Sequence, residues 1–194
     1  DNELSNLETY DFISERLDRV RDLFVFSCYT GISYVDLMKL TKENIIKGIE
    51  GNFWIISKRQ KTNSPIKIPL LEKAQQLIIK YENHPITQVS NTLFPTITNE
   101  KLNSYLKEVA NFCGIKKNLT FHMARHTFAT TVTLTNGVPI ETVSKLLGHT
   151  KIATTQIYAR VIDRKVSDDM NTLRTLLNNK SIERTEVKHR KSDN

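Results

Sequence analysis

One stretch of this chain abandons helical periodicity, and its position organises the rest. Between Ile45 and Leu70 the apolar residues cluster in short runs: Ile45-Ile46, Phe53-Trp54-Ile55-Ile56 and Ile66-Lys67-Ile68-Pro69. Glu50-Gly51-Asn52 and Lys61-Thr62-Asn63-Ser64-Pro65 fall between the runs and carry turn residues. Three short strands with two turns predict one small antiparallel sheet.

Both flanks have helical spacing. From Phe12 to Tyr29 the apolar positions are Ile13, Leu17, Val20, Leu23, Phe24 and Phe26, and Thr30-Gly31 breaks the helix. A short second helix runs through Tyr34, Leu37, Met38 and Leu40. After the strands come helices over Glu72–Tyr81 and Asn99–Phe112, the latter stopped by Gly114. Another spans Thr120 to Leu134 and is ended by Asn136-Gly137. Pro139 suits a first helical position for Ile140–Leu147, which Gly148 ends. Ile152–Val161 and Val166–Leu177 complete the series. The expected fold class is mainly α with a small three-stranded antiparallel sheet. Residues 1–10 are polar and read as a flexible lead-in, and 11–179 as one domain. Residues 180–194, through Lys188-His189-Arg190-Lys191, are charged, lack aromatics and read as disordered. The chain opens at Asp1-Asn2 without an initiator Met, so we expect a fragment of a longer protein.

Charge bounds the partner. A net charge of +7 over 194 residues, with a pI near 9.4, makes a polyanion plausible, nucleic acid first, although a merely basic surface gives the same numbers. Cys28 and Cys113 both lie in apolar helical contexts and read as buried thiols of a reducing compartment. No long apolar run or signal-peptide pattern indicates secretion or a membrane.

The chemistry concentrates in His122-Met123-Ala124-Arg125-His126-Thr127-Phe128-Ala129-Thr130, then Leu147-Gly148-His149, then Tyr158, nine residues after His149. His122 and Arg125 are three apart and share a helix face. A guanidinium matches the two non-bridging oxygens of a phosphodiester, on which charge builds during attack. An imidazole can hydrogen-bond the same oxygens or exchange protons. Gly148 lies at a helix end, where chain reversal could return His149 to the site. Tyr158 would be the nucleophile: a phenol is weak at neutral pH and needs nearby cations or a base, both of which this motif offers. A tyrosyl phosphodiester would store the energy of the broken backbone bond, so DNA could be rejoined without ATP. Taken singly, His122, His126 and His149 each read more often as packing histidines, and a lone tyrosine is seldom a nucleophile. The combination is what carries the signal.

These segments, with Thr155-Gln156-Ile157-Tyr158, resemble the catalytic core of the tyrosine recombinases, the phage-integrase family. Upstream, Tyr29-Thr30-Gly31-Ile32-Ser33-Tyr34-Val35-Asp36-Leu37 resembles the family's first box, and Lys61-Thr62 its lysine hairpin. The resemblance spans Leu17 to Leu177. The first box, with Arg59-Gln60-Lys61-Thr62, is also similar to mobile-element integrases of Bacteroidetes-type bacteria.

The resemblance implies roles. Tyr158 attacks the scissile phosphate to form a 3′-phosphotyrosine, Arg125 clamps the non-bridging oxygens, His122 transfers protons and His149 hydrogen-bonds the phosphate. Lys61 protonates the leaving 5′-oxygen. No metal or other cofactor is implied, because the cations are built in. The implied partner is double-stranded DNA, held by a homo-tetramer of the full-length protein. An N-terminal DNA-binding domain is absent from this chain, which as a fragment should be monomeric and bind DNA weakly and salt-sensitively. The helix around Val166–Leu177, or the tail beyond, would dock onto a neighbour, or else pack back on its own domain. The implied place is the bacterial cytoplasm, on the nucleoid. One position departs from the pattern: Ser33 stands where the family carries a second catalytic arginine, and Asp36 where an acidic residue supports it. Arg59 is our candidate substitute cation. It lies two residues before Lys61, and strand alternation would turn both to one side. The alternative is a plain phosphate contact or a solvated strand residue.

Three rivals remain. His122 and His126 are four apart, the spacing of a zinc-binding helix, but Met123 replaces the general-base glutamate and Arg125 would repel a dication. A non-catalytic DNA-binding remnant would follow from loss of the arginine at position 33. A phosphatase or topoisomerase would use the same tyrosine chemistry.

Overall fold

A computed structural model describes residues 2–158, 163 and 166–177, in two compact units that meet between Thr155 and Gln156. The first unit is built around helix α2, Glu15–Thr30. From Val20 onward almost every residue of α2 is buried, including Leu23, Phe24, Val25, Phe26 and Cys28. A helix segment buried on nearly every side must be central, and α1 (Asn2–Thr9), α4 (Glu72–Tyr81), α6 (Asn99–Phe112) and α7 (His122–Thr127) all pack on it. Ile13, read from its spacing as part of this helix, precedes the cap at Ser14 and is fully exposed. Both cysteines are buried free thiols.

The sheet is an antiparallel meander of β1 (Ile45–Lys47), β2 (Phe53–Lys58) and β3 (Pro65–Pro69). Ile55 pairs with Ile45 on one side and Ile68 on the other. Period-2 alternation puts Ile55, Ile66 and Ile68 in the core while Trp54 and Ile56 face outward and stay partly exposed; Phe53, at the start of β2, is also partly exposed. In α6 the helical spacing buries Leu102, Leu106, Val109 and Ala110, and Gly114 turns the chain left-handed so that the Ile115 N–H donates to the Ala110 carbonyl.

Several segments differ from expectation. Residues 2–9, read as a loose lead-in, form α1 with Leu4 and Leu7 buried. The Arg21 side chain holds this segment from α2, donating to the carbonyls of Leu7 (3.0 Å) and Tyr10 (2.8 Å). Arg21 is itself neutralised by Asp18 and Asp22; Lys80 also binds both, and the Tyr81 hydroxyl donates to Asp22. A short helix α5, Pro85–Ser90, was not anticipated; Pro85 opens it, and the His84 ring accepts from the Ile86 N–H at 3.2 Å. The helix expected from Thr120 to Leu134 is α-helical only over His122–Thr127 and continues as a π-helix, Phe128–Thr133. Thr130 and Thr133 donate their hydroxyls back to the carbonyls of His126, Phe128 and Ala129, the side-chain competition that distorts helices. Helix α8, Ile140–Leu146, then leads to Gly148.

The helix expected over Ile152–Val161 is instead, within the described residues, two 3-10 turns, Ile152–Thr154 and, in the second unit, Gln156–Tyr158; 166–177 are helical. Val166, Met170, Leu173 and Leu177 are exposed at helical spacing. The tail 180–194 lies outside the described residues. Among the described residues no helix is long and apolar enough to cross a membrane.

Candidate active site

Two helix endings make a seat for one arginine. Helix α2 stops at Gly31, at φ +66°, with the Gly31 N–H donating to the Ser27 carbonyl. A Cβ at Gly31 would come within 2.5 Å of the Phe128 ring, so both the turn and the close approach of the π-helix require glycine. Helix α8 stops at Gly148, at φ +61°, where the His149 N–H reaches back to the Ser144 carbonyl. Each stop leaves a carbonyl aimed at Arg125. Its Nη1 donates to Gly31 O and its Nη2 to Leu147 O, the latter at 3.0 Å. The side chain is buried, and the fork is fixed by backbone.

A second guanidinium reaches the same place. Arg59 Nη2 also donates to Leu147 O, and its side chain lies over Gly148, where a Cβ would collide with Nε and sit 3.0 Å from Cζ. Strand alternation is not the reason: β2 ends at Lys58, so Arg59 and Lys61 stand in the turn. That turn closes with Arg59 N–H donating to Ser64 O and Asn63 N–H to Arg59 O, both at 2.8 Å, and Asn63 adopts φ +53°. Burial lowers the Arg59 pKa, while the nearby Asp36 carboxylate opposes the shift.

Asp36 joins this hairpin to the first box. Its Oδ1 accepts from the Gln60 N–H at 3.0 Å, and its Oδ2 from the Ser33 hydroxyl at 2.6 Å. Ser33 in turn caps α3 (Tyr34–Leu37), accepting from the Asp36 N–H. The serine at position 33 thus does a helix-capping job, and the hairpin's Arg59 is the second guanidinium at this place.

His149 returns into this cluster. Burial, then the charges of Arg125 and Arg59, lowers its pKa, which favours the neutral imidazole. Its Nδ1 lies 2.8 Å from the Thr155 hydroxyl; with threonine as donor, Nε2 carries the proton and is a hydrogen-bond donor. His122 is exposed on α7, its ring edge-to-face with that of His126 at 4.9 Å. The His126 pKa is lowered by burial, by His122 and by Arg125. Lys61 is exposed at the hairpin tip. Tyr158 belongs to the second unit, three residues beyond the threonine that holds His149. The first unit therefore brings Arg125, Arg59 and His149 together and leaves Lys61 and His122 on its surface. Among the described residues no three His, Cys, Asp or Glu side chains could hold a metal ion.

Sequence reasoning missed the two carbonyls that seat Arg125, and the contact of Thr155 with His149. The signal was present: Gly31 and Gly148 are helix stops, and a stop frees a carbonyl.

Residues 7–165 match the Phage integrase family. A tyrosine recombinase XerD of Staphylococcus haemolyticus is 29% identical over 177 residues, covering 85% of this chain and 58% of its own. A tyrosine recombinase of Pseudothermotoga lettingae is 43% identical over 68 residues, 35% of this chain and 23% of its own. The chain thus spans about a quarter to under three fifths of these curated relatives. Its fold is similar to that of the XerH site-specific recombinase bound to a palindromic difH substrate, with a TM-score of 0.66 at 21% identity over 87% of this chain and 50% of that one. A lambda integrase dimer bound to a COC′ core site gives 0.57 at 16% identity, over 81% and 55%. With the family match running from α1 to beyond Tyr158, the chain belongs to the phage integrase family.

Proposed function

We propose that this chain is the catalytic domain of a site-specific DNA recombinase, an integrase that cuts and rejoins DNA through a 3′-phosphotyrosine. The observation that carries the reading is the convergence of Arg125 and Arg59 on one carbonyl beside a neutral His149. Two guanidiniums and an imidazole donor match the charge that grows on the non-bridging oxygens of a phosphodiester under attack. The Tyr158 hydroxyl attacks phosphorus, and the bond to the 5′-oxygen breaks. Lys61 gives that oxygen its proton, and His122 takes the proton from the phenol. The new phosphodiester keeps the energy of the old one, so the reverse attack reseals the strand without ATP. Arg59 supplies the charge that Ser33 cannot. The XerH and lambda integrase structures were determined with DNA bound, and the basic charge of this chain suits the same partner.

In the full-length protein, four copies would hold two duplexes in the bacterial cytoplasm, on the nucleoid. The exposed apolar stripe of 166–177 would dock on a neighbouring copy.

The test is covalent trapping on a nicked suicide duplex carrying the end of the encoding element, read on a denaturing gel. Wild type should form a protein–DNA adduct, and Tyr158→Phe should form none. Absence of an adduct from both this chain and the full-length protein would favour a DNA-binding remnant, and Ser33→Arg would then be the first reversion to make.

A further inference from the structure

We propose that a hollow beside the active site, lined by Arg19, Tyr34, Thr98, Lys101 and Tyr105, seats a DNA backbone phosphate other than the scissile one; this rests on the recombinase reading above. The hollow has a volume of about 480 Å³. Two cations line it, Arg19 from α2 and Lys101 from α6, and among the described residues neither side chain has a hydrogen bond or an ion pair. The Arg19 Nε–H is buried without an acceptor. Neighbouring basic groups are spent: Arg16 pairs with Glu108 at 2.9 Å and lies over the Tyr105 ring, while Arg21 and Lys80 are held by Asp18 and Asp22. Glu108 is thus committed, and Glu100, in the first turn of α6, is exposed. The walls are set: the Tyr34 hydroxyl donates to Ile97 O at 2.7 Å, and the Thr98 hydroxyl caps α6. An uncompensated guanidinium and ammonium in a polar hollow call for an anion with several oxygens.

Position identifies which anion. Tyr34 and Met38 line the hollow and lie one turn apart, whereas Ser33 and Asp36 belong to the active-site cluster. The two sites therefore flank one helix of four residues, Tyr34–Leu37. Successive phosphates of a strand advance about 3.4 Å along the duplex axis. DNA with its scissile phosphate at Arg125 would present another phosphate, a few nucleotides away or across a groove, to Arg19 and Lys101. Such contacts fix register and carry no sequence information.

The experiment is fluorescence anisotropy of the whole chain on a labelled random-sequence duplex of about 30 base pairs, titrated from about 50 to 200 mM NaCl. Wild type is compared with Arg19→Gln, Lys101→Gln and their double variant. Lys116→Gln/Lys117→Gln removes the same charge beyond the far end of α6. The double variant should bind about tenfold more weakly at low salt, with a log–log salt slope shallower by about one to two. The control pair should lose less than half of that. A double variant that tracks wild type or the control pair overturns the hollow and leaves the recombinase reading standing. Wild type that binds no duplex at low salt overturns the DNA reading and the hollow with it. Should circular dichroism show Arg19→Gln unfolded, the exposed Lys101→Gln carries the test alone, with an expected slope change of about 0.9.

Discussion

The seat of Arg125 and the tip of the β2–β3 hairpin hold charges of the same sign in opposite ways. Arg125 is buried between the ends of α2 and α8 and bonded to the backbone of both. Lys61 stands exposed in a turn. The difference follows the work each is assigned. Charge that must meet a developing oxyanion acts best when its dipoles are already fixed. A proton donor must approach and withdraw, and an ammonium on a flexible stem in a turn does that. Arg59 falls between them, with its backbone in the turn and its guanidinium in the seat.

The largest effect expected from this contrast is at Arg125. Arg125→Lys keeps the charge but loses the fork between Gly31 and Leu147, and the rate of adduct formation should fall by about 10³-fold. Binding of non-specific duplex should change little. A loss below tenfold would show that the charge alone matters, and the contrast with the hairpin would collapse.

Next is Lys61, where Lys61→Ala should cost about 10²-fold as the loss of a general acid. The same variant should cleave near the wild-type rate when the leaving 5′-oxygen is replaced by sulphur, since a thiolate, of pKa about 8.5, leaves without a proton. Equal losses on both substrates would make Lys61 a phosphate contact.

Arg59 should cost less, about tenfold, because Arg125 keeps its own place on Leu147 O. Gly148→Ala should reproduce the loss, since the new methyl group lands on the Arg59 guanidinium. The two changes combined should cost no more than the worse of them. Additive losses would mean that Gly148 acts only through its φ. If Arg59→Ala cleaved like wild type, Ser33 would have no substitute.

The same contrast explains what could be read in advance. The strands, α4 and α6 were legible because their apolar residues, Ile55 and Ile68 or Leu102 and Leu106, bury on one face in a local period. Helix α1 was not, because Leu4 and Leu7 are too few to declare a helix and Arg21, which anchors the segment, comes from another element. The break of α7 into a π-helix depends on whether Thr130 and Thr133 turn their hydroxyls inward, a choice that propensity leaves open. Motif spacing pointed to Arg125 and His149, which the fold brings together, and to Tyr158, which belongs to the second unit. The seat was not, since its ligands are carbonyls common to every residue. Arg59 was named for a strand direction it does not have and reaches the cluster through a turn.

The smallest expected effect concerns the histidine beside the two arginines. In the fold, burial and the neighbouring cations hold the pKa of His149 below its ordinary value, and His126 is lowered similarly. The unfolded chain, with histidines near 6.5, therefore binds more protons as the pH drops. The stability linked to these groups is complete above about 6.5 and is lost as pH falls through the lower folded values. Melting by circular dichroism should show a lower midpoint at pH 5.5 than at pH 7.5. His149→Gln, which cannot be protonated beside Arg59 and Arg125, should flatten part of that fall. Parallel curves for the two proteins would mean that His149 gains no proton on unfolding. The clustered positive charge around Leu147 would then impose no acid-sensitive cost, and the seat of Arg125 would differ from the hairpin tip in rigidity alone.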